Sequence, residues 1–183
     1  GGFLNPSTGV ETLLGALGRL RAERRRVTLL MVGGMASDSV AVDRAYAEGL
    51  REHVAGSDLS NHVRWTGYTA TADVSANLLA ADACVLPFRD GASFRNGTLA
   101  AAIAHGLVLI TTRRQHGPAA LTAAERSGLQ LLDGVNAKLV PPRDEAALAA
   151  AIVELADGPS QQERLRAGAR ELARRLDWAA IAC

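Results

Sequence analysis

"ACVLPFRDGASFRNGTLAAAIAHGLVLITT", residues 83–112, decides how the rest of the chain is read. It opens on a short apolar run that Pro87 closes, because proline has no N–H to offer a strand ladder. A loop follows with Arg89, Asp90, Gly91, Arg95 and Gly97. Residues 98–105 are alanine-rich and apolar, which predicts a helix. Residues 107–112 form a second apolar run rich in β-branched side chains, which predicts another strand. Strand, helix and strand in that order make a βαβ unit, whose two strands run parallel through a right-handed crossover.

The same alternation extends in both directions. Upstream, Val10, Leu13, Leu14, Leu17 and Leu20 recur at helical spacing within residues 10–25. "VTLLMVGG" (27–34) is a continuous apolar run ended by glycines, as in a parallel strand covered on both faces. A helix is predicted over 40–54, a strand at "HVRWTGY" that turns at Gly67, and a helix over 73–81. Downstream, short strands at 129–132 and 138–140 flank the turn "DGVN". Helices over 146–156 and 161–176 finish the chain, with Pro159 at the start of the second. The predicted class is α/β, a doubly wound, mostly parallel open sheet in one domain.

Composition narrows the function. The chain has 183 residues, is 48% hydrophobic and carries a net charge of +1, enough for one well-buried domain. So small a charge argues against a dedicated nucleic-acid binder. No apolar run approaches the ~20 residues needed to span a bilayer, and a cytoplasmic protein is expected, with peripheral contact at the inner membrane face as the variant. Cys84 and Cys183 suggest no disulfide framework. Lys138 is the one lysine beside nineteen arginines, a bias typical of GC-rich bacterial coding. The opening "GGFLNPSTG" has no initiating methionine, and Gly2-Phe3-Leu4 reads as the tail of a strand, so a fragment of a longer protein is expected.

In open α/β sheets, ligands bind beyond the carboxyl ends of the strands. The loops at 5–9, 33–38, 67–71, 88–97 and 111–118 therefore matter most. Ser7 or Thr8 is placed to cap the first helix. "VGGMAS" resembles a phosphate loop but lacks both dinucleotide glycine spacing and a Walker lysine. "DGASFRNGT" is more specific: Gly91 and Gly97 permit close backbone approach to a ligand, and Asn96 or Ser93 is placed to cap the helix. The free N–H groups of that helix start attract an anion, and Arg89 and Arg95 add charge-assisted hydrogen bonds to phosphate oxygens. The plainer alternative is a solvated loop. His53, His62, His105 and His116 have no metal-ligand spacing, so no metal is expected. "RLRAERRR" (19–26) reads as a solvated helix end.

The ordered set "GFLNPSTGVETLLGAL", "VTLLMVGG", "VRWTGY", "LLAADACVLPF", "LAAAIAHGLVLITT", "LLDGVNAKLVPPRDEAALAAAI" and "LDWAAIA" resembles the C-terminal, nucleotide-sugar-binding half of family 4 retaining glycosyltransferases of the GT-B fold. The resemblance implies a Rossmann-like domain binding a UDP- or GDP-sugar as substrate, with no further cofactor. It also implies an N-terminal acceptor domain elsewhere in the protein, onto which the final helix packs, its apolar residues being partly exposed or paired in a homodimer where that domain is missing. The implied donor site is Gly2, Phe3, Thr8, Gly33, Tyr68, Thr69, Pro87, Arg89, Asp90, Ser93, Phe94, Arg95, Asn96, Gly97 and Thr98, with Arg95 as the leaving-group stabiliser. Three departures stand out. The family's basic residue after the first strand falls at Phe3, and its lysine before the helix glycine falls at Thr8. Its two glutamates, with seven residues between them, fall at Ser93 and Ala101. A degenerate, non-catalytic binding domain and a GT-B sugar-nucleotide epimerase are the competing expectations.

Overall fold

The computed structural model describes residues 4–33, 41–115, 125 and 128–176. Strands β1 (Leu29–Met31) and β2 (Val63–Trp65) pair in parallel, with Leu29 opposite Val63. Strands β3 (Cys84–Leu86), β4 (Leu109–Thr112) and β5 (Lys138–Val140) form a second parallel sheet in the order β3-β4-β5. Its register sets Val85 opposite Ile110, and Ile110 opposite Lys138.

Helices cover both faces of the second sheet. All four residues of β4 are buried, and successive side chains point to opposite faces. Leu109 packs with Leu99 and Ile103 of α4 (Gly97–Ala104) and Leu172 of α6 (Pro159–Arg174). Val108 and Ile110 turn the other way, onto Leu13 and Leu20 of α1 (Val10–Ala22) and Leu148 and Leu155 of α5 (Glu145–Asp157). A strand apolar on both faces is what the run "LVLITT" implies. The first sheet has its own core. Val10, Leu14 and Leu17 of α1 meet Leu50 and Val54 of α2 (Ala41–Ala55) and Val63 of β2. Helix α1 therefore contributes one stripe to each core and ties the two sheets together. Helix α3 (Thr71–Ala80) lies before β3.

Several expectations need correction. Helix α1 stops at Ala22, short of residue 25, because Arg24 turns left-handed at φ 58°. Neither Ser7 nor Thr8 caps it. The cap position is Gly9, and Asn5 instead closes a 3-10 turn at Pro6–Thr8 by accepting from the Ser7 N–H. Residues 129–132 form no strand, and the pairing next to them is a single bridge of Asp133 to Ala137. The Asn136 side chain takes up the backbone groups there, accepting from Leu132 N–H and donating to Gln130 C=O. Helix α6 ends at Arg174 rather than at 176, with Pro159 in its first turn as expected. Gly2, Phe3, His116, Trp178, Ile181 and Cys183 lie outside the described residues. Cys84 is a free thiol in the core, and burial pushes its pKa up to about 12. It is a packing residue. Among the described residues, no helix is long and apolar enough to cross a membrane.

Candidate functional site

The strands of each sheet are parallel, so the loops that follow β3 and β4 share one edge of their sheet. Two buried threonines of β4 build that edge. Thr111 donates its hydroxyl to Leu86 C=O at 2.7 Å, and Thr112 donates to Phe88 C=O at 2.8 Å. The Ala92 N–H returns to Thr112 C=O at 3.1 Å. The loop after β3 is thus laced to β4 by groups that burial would otherwise leave unsatisfied. Phe88 and Phe94 anchor the same loop in the core. Phe94 is only 2% exposed, so its side chain holds the loop rather than facing a ligand.

Glycines let neighbouring loops touch. Gly9 has φ 70°, and a Cβ there runs into the Pro87 carbonyl. Close by, Arg89 N–H donates to Ser7 C=O at 3.0 Å. Gly91 has φ 89°, and its missing Cβ makes room for the backbone of Arg113 and Arg114. Gly91 therefore serves loop-to-loop contact, not the ligand approach expected for it. Among the described residues, nothing lies within 4 Å of a Cβ built on Gly97.

The turn into α4 is ordered by its own side chains. Asn96 Oδ1 accepts from Ser93 N–H at 3.0 Å, and Ser93 Oγ accepts from Arg95 N–H at 3.4 Å. Both residues expected to cap the helix are thereby turned back into the loop, and Asn96, at the cap position, makes no side-chain capping bond. The first N–H groups of α4, an eight-residue helix, thus have no side-chain cap. Arg89 and Arg95 form no ion pair among the described residues. Asp90 faces Arg143 at 3.5 Å, where both are exposed.

Thr8 lies with Arg89, Glu11 and Tyr46, a grouping that sequence reading missed. The Tyr46 hydroxyl is shut off from solvent without a hydrogen bond of good geometry. Burial raises its pKa, the Glu11 carboxylate raises it further, and Thr8 and Arg89 pull the other way. Tyr46 comes from α2, so only the tertiary fold could bring it here. Glu11, two residues after Gly9, was the available signal.

Gly33 and Gly67 form a bridge, with Gly33 N–H donating to Thr66 Oγ1 at 2.9 Å. Tyr68 beside them is 83% exposed, while Thr69 Oγ1 is buried without a partner. The structure thus gathers Thr8 with Pro87 and Arg89, and Ser93 with Arg95, Asn96, Gly97 and Thr98. It sets Gly33 beside Gly67 and Tyr68. His105, expected at a helix end, bridges Ala101 C=O and Ser75 Oγ through its two ring nitrogens, and so ties α4 to α3. No group of three or more His, Cys, Asp or Glu suited to a metal occurs among the described residues.

Comparison with known proteins gives these loops a context. The family model for "Glycosyl transferases group 1" matches residues 1–158. Over its whole length the chain is 31% identical to the phosphatidyl-myo-inositol mannosyltransferase of Mycobacterium leprae, and it spans 42% of that protein. Among solved structures, it matches a sucrose-phosphate synthase from Thermosynechococcus elongatus at TM-score 0.76 and 25% identity, covering 99% of this chain and 41% of that one. It matches Anabaena HepE, solved with UDP and glucose, at TM-score 0.72 and 22% identity, covering 98% of this chain and 44% of HepE. The parallel-sheet α/β, Rossmann-like fold is that of GT-B glycosyltransferase domains. The chain belongs to the group 1 glycosyl transferases.

Proposed function

We propose that this chain is the donor-binding half of a retaining, family 4-like glycosyltransferase that uses a UDP- or GDP-sugar, with an N-terminal acceptor domain supplied elsewhere in the protein. The observation that carries this reading is the uncapped start of α4 with Arg95 in the turn before it, and with Arg89 earlier in the same loop, bonded to Ser7 C=O. Departure of the nucleoside diphosphate builds negative charge on the phosphates. Fixed N–H dipoles and guanidinium groups stabilise that charge without reorganising. Arg95 is assigned the main side-chain contact to the diphosphate, and Arg89 a supporting one in place of the cation missing at Thr8. Base and ribose are assigned to Tyr68, Thr69 and Pro87. A donor made in the cytoplasm puts the site on that side of the membrane.

Calorimetric titration with UDP and GDP tests the assignment. Arg95→Ala is expected to weaken binding by about 1.5–3 kcal/mol, the scale of a charged hydrogen bond, or roughly 10- to 150-fold. Unchanged affinity overturns it. Thr8, Ser93 and Ala101 favour a second reading, a non-catalytic binding domain, since none supplies the cation or carboxylate the resemblance calls for. Turnover by the full-length protein excludes that reading.

A further inference from the structure

A second cluster of cations lies away from the donor loops. A cavity of about 640 Å³ is lined by Arg21, Arg24, Arg25, Arg26, His62 and Asn61, together with Val27 and Thr28. Residues 27 and 28 lead into β1, and residues 61 and 62 lead into β2. These two strands are parallel, so the cavity opens at their amino ends, whereas Gly33 and Tyr68 follow their carboxyl ends. Among the described residues, no acidic residue lines it.

Three observations separate this cavity from an ordinary solvated helix end. Cations in the last turn of a helix complement its dipole, which accounts for Arg19 and Arg21 but not for the arginines beyond Ala22. Arg25 is matched by Asp157 at 2.9 Å, yet Arg21, Arg24 and Arg26 have no acidic partner among the described residues. Arg21 Nε is also shut off from solvent with no acceptor, a costly arrangement for a charged donor.

The backbone supplies the third observation. Arg25 N–H bonds Leu20 C=O at 2.9 Å, and Arg24 N–H bonds Arg21 C=O at 2.8 Å. This is a Schellman ending, whose left-handed residue is usually glycine. Here Arg24 occupies it at φ 58°. The chain sets a strained arginine where glycine fits without strain, and that arginine lines the cavity. Strain of this kind clusters at ligand sites.

We propose that this cavity is a second anion site, which takes a phosphate monoester or diester through Arg21, Arg24 and Arg26 independently of the nucleotide-sugar donor. A cleft with cations in excess concentrates anions, and guanidinium forks match phosphate oxygens. The volume leaves room for the group the phosphate is attached to, which is either a small soluble ester or a lipid headgroup.

The test is amide chemical-shift mapping on the 183-residue chain with inorganic phosphate and with glycerol 3-phosphate. A parallel arm uses co-sedimentation with phosphatidylcholine vesicles, with and without phosphatidylglycerol. Shifts confined to residues 21–28 and 61–62 support a soluble ester. Binding only to phosphatidylglycerol vesicles, lost in Arg21→Gln/Arg26→Gln, supports a lipid headgroup. In either case the double variant is expected to weaken binding at least tenfold, and Arg95→Ala to leave it unchanged. Arg24→Gly is expected to weaken binding while raising Tm, so lost binding cannot be ascribed to unfolding. Absence of both signals overturns the proposal, as do phosphate-induced shifts at residues 21–28 and 61–62 that survive in the double variant. Failure of UDP to bind, with the groove shifts intact, counts against the donor assignment alone.

Discussion

Gly9 is the single residue on which the candidate donor edge most depends. Its φ of 70° is one that only glycine adopts freely, and a side chain there meets the Pro87 carbonyl, which cannot swing aside. Gly9→Ala is expected to cost roughly 2–4 kcal/mol, from left-handed strain plus overpacking. A lowered urea midpoint with unchanged slope reads out that loss, and an unchanged midpoint contradicts the packing argument. Sequence alone pointed to this loop but misassigned its work. The hydroxyls of Ser7 and Thr8 suggested a cap, whereas Asn5 accepts from Ser7 and the Thr8 hydroxyl donates to Asn5 C=O. Phe94 read as a loop residue near a ligand, because nothing local distinguishes an aromatic anchor from an exposed one. Tyr46 and Glu11 were illegible as a pair, being 35 positions apart and joined only by packing of α2 on α1.

At the scale of elements, β3, α4 and β4 were legible because each is a continuous apolar segment bounded by proline or glycine, and continuity is what two-sided burial requires. The 129–140 hairpin-like segment was half legible. Lys138–Val140 pairs with β4, but Asp133 and Asn136 side chains replace the ladder expected at 129–132. Asp133 is the centre of that replacement, with one carboxylate oxygen on Leu139 N–H and the other on Arg113, each at 2.9 Å. Its partial burial opposes ionisation, but the Leu139 N–H, Arg113 and Lys138 outweigh it and lower the pKa. A carboxylate with a depressed folded pKa stabilises the fold above its unfolded pKa near 3.9, and that stabilisation is lost as pH falls through the lower folded value. Asp133→Asn keeps one acceptor for Leu139 and loses the charge. With the side chain 40% exposed, screening limits the expected loss at pH 7 to about 0.5–1 kcal/mol. The gap between the two proteins should close below pH 4 in urea titrations. A gap that persists undiminished at pH 2 assigns the effect to shape rather than charge.

For the molecule as a whole, the cores account for a folded unit, while the proposed donor edge would account for half of a reaction. On the proposed reading, the uncapped α4, Arg89 and Arg95 supply positive potential on one side of the diphosphate. Nothing among the described residues positions a sugar acceptor against it. The chain spans 42% of the mannosyltransferase and 44% of HepE that it matches. Two reactants held in one geometry, with water excluded, supply much of the rate of any group transfer. A donor half with no acceptor domain set against it would do neither. The 183-residue chain is therefore expected to bind UDP or GDP but not to transfer sugar, whereas a longer protein carrying it does both. Radiolabelled nucleotide sugars offered with a broad acceptor panel to the chain and to the full-length protein test this directly. Turnover by the chain at a rate comparable to the full-length protein places the acceptor site within these residues, and the donor-half reading then fails.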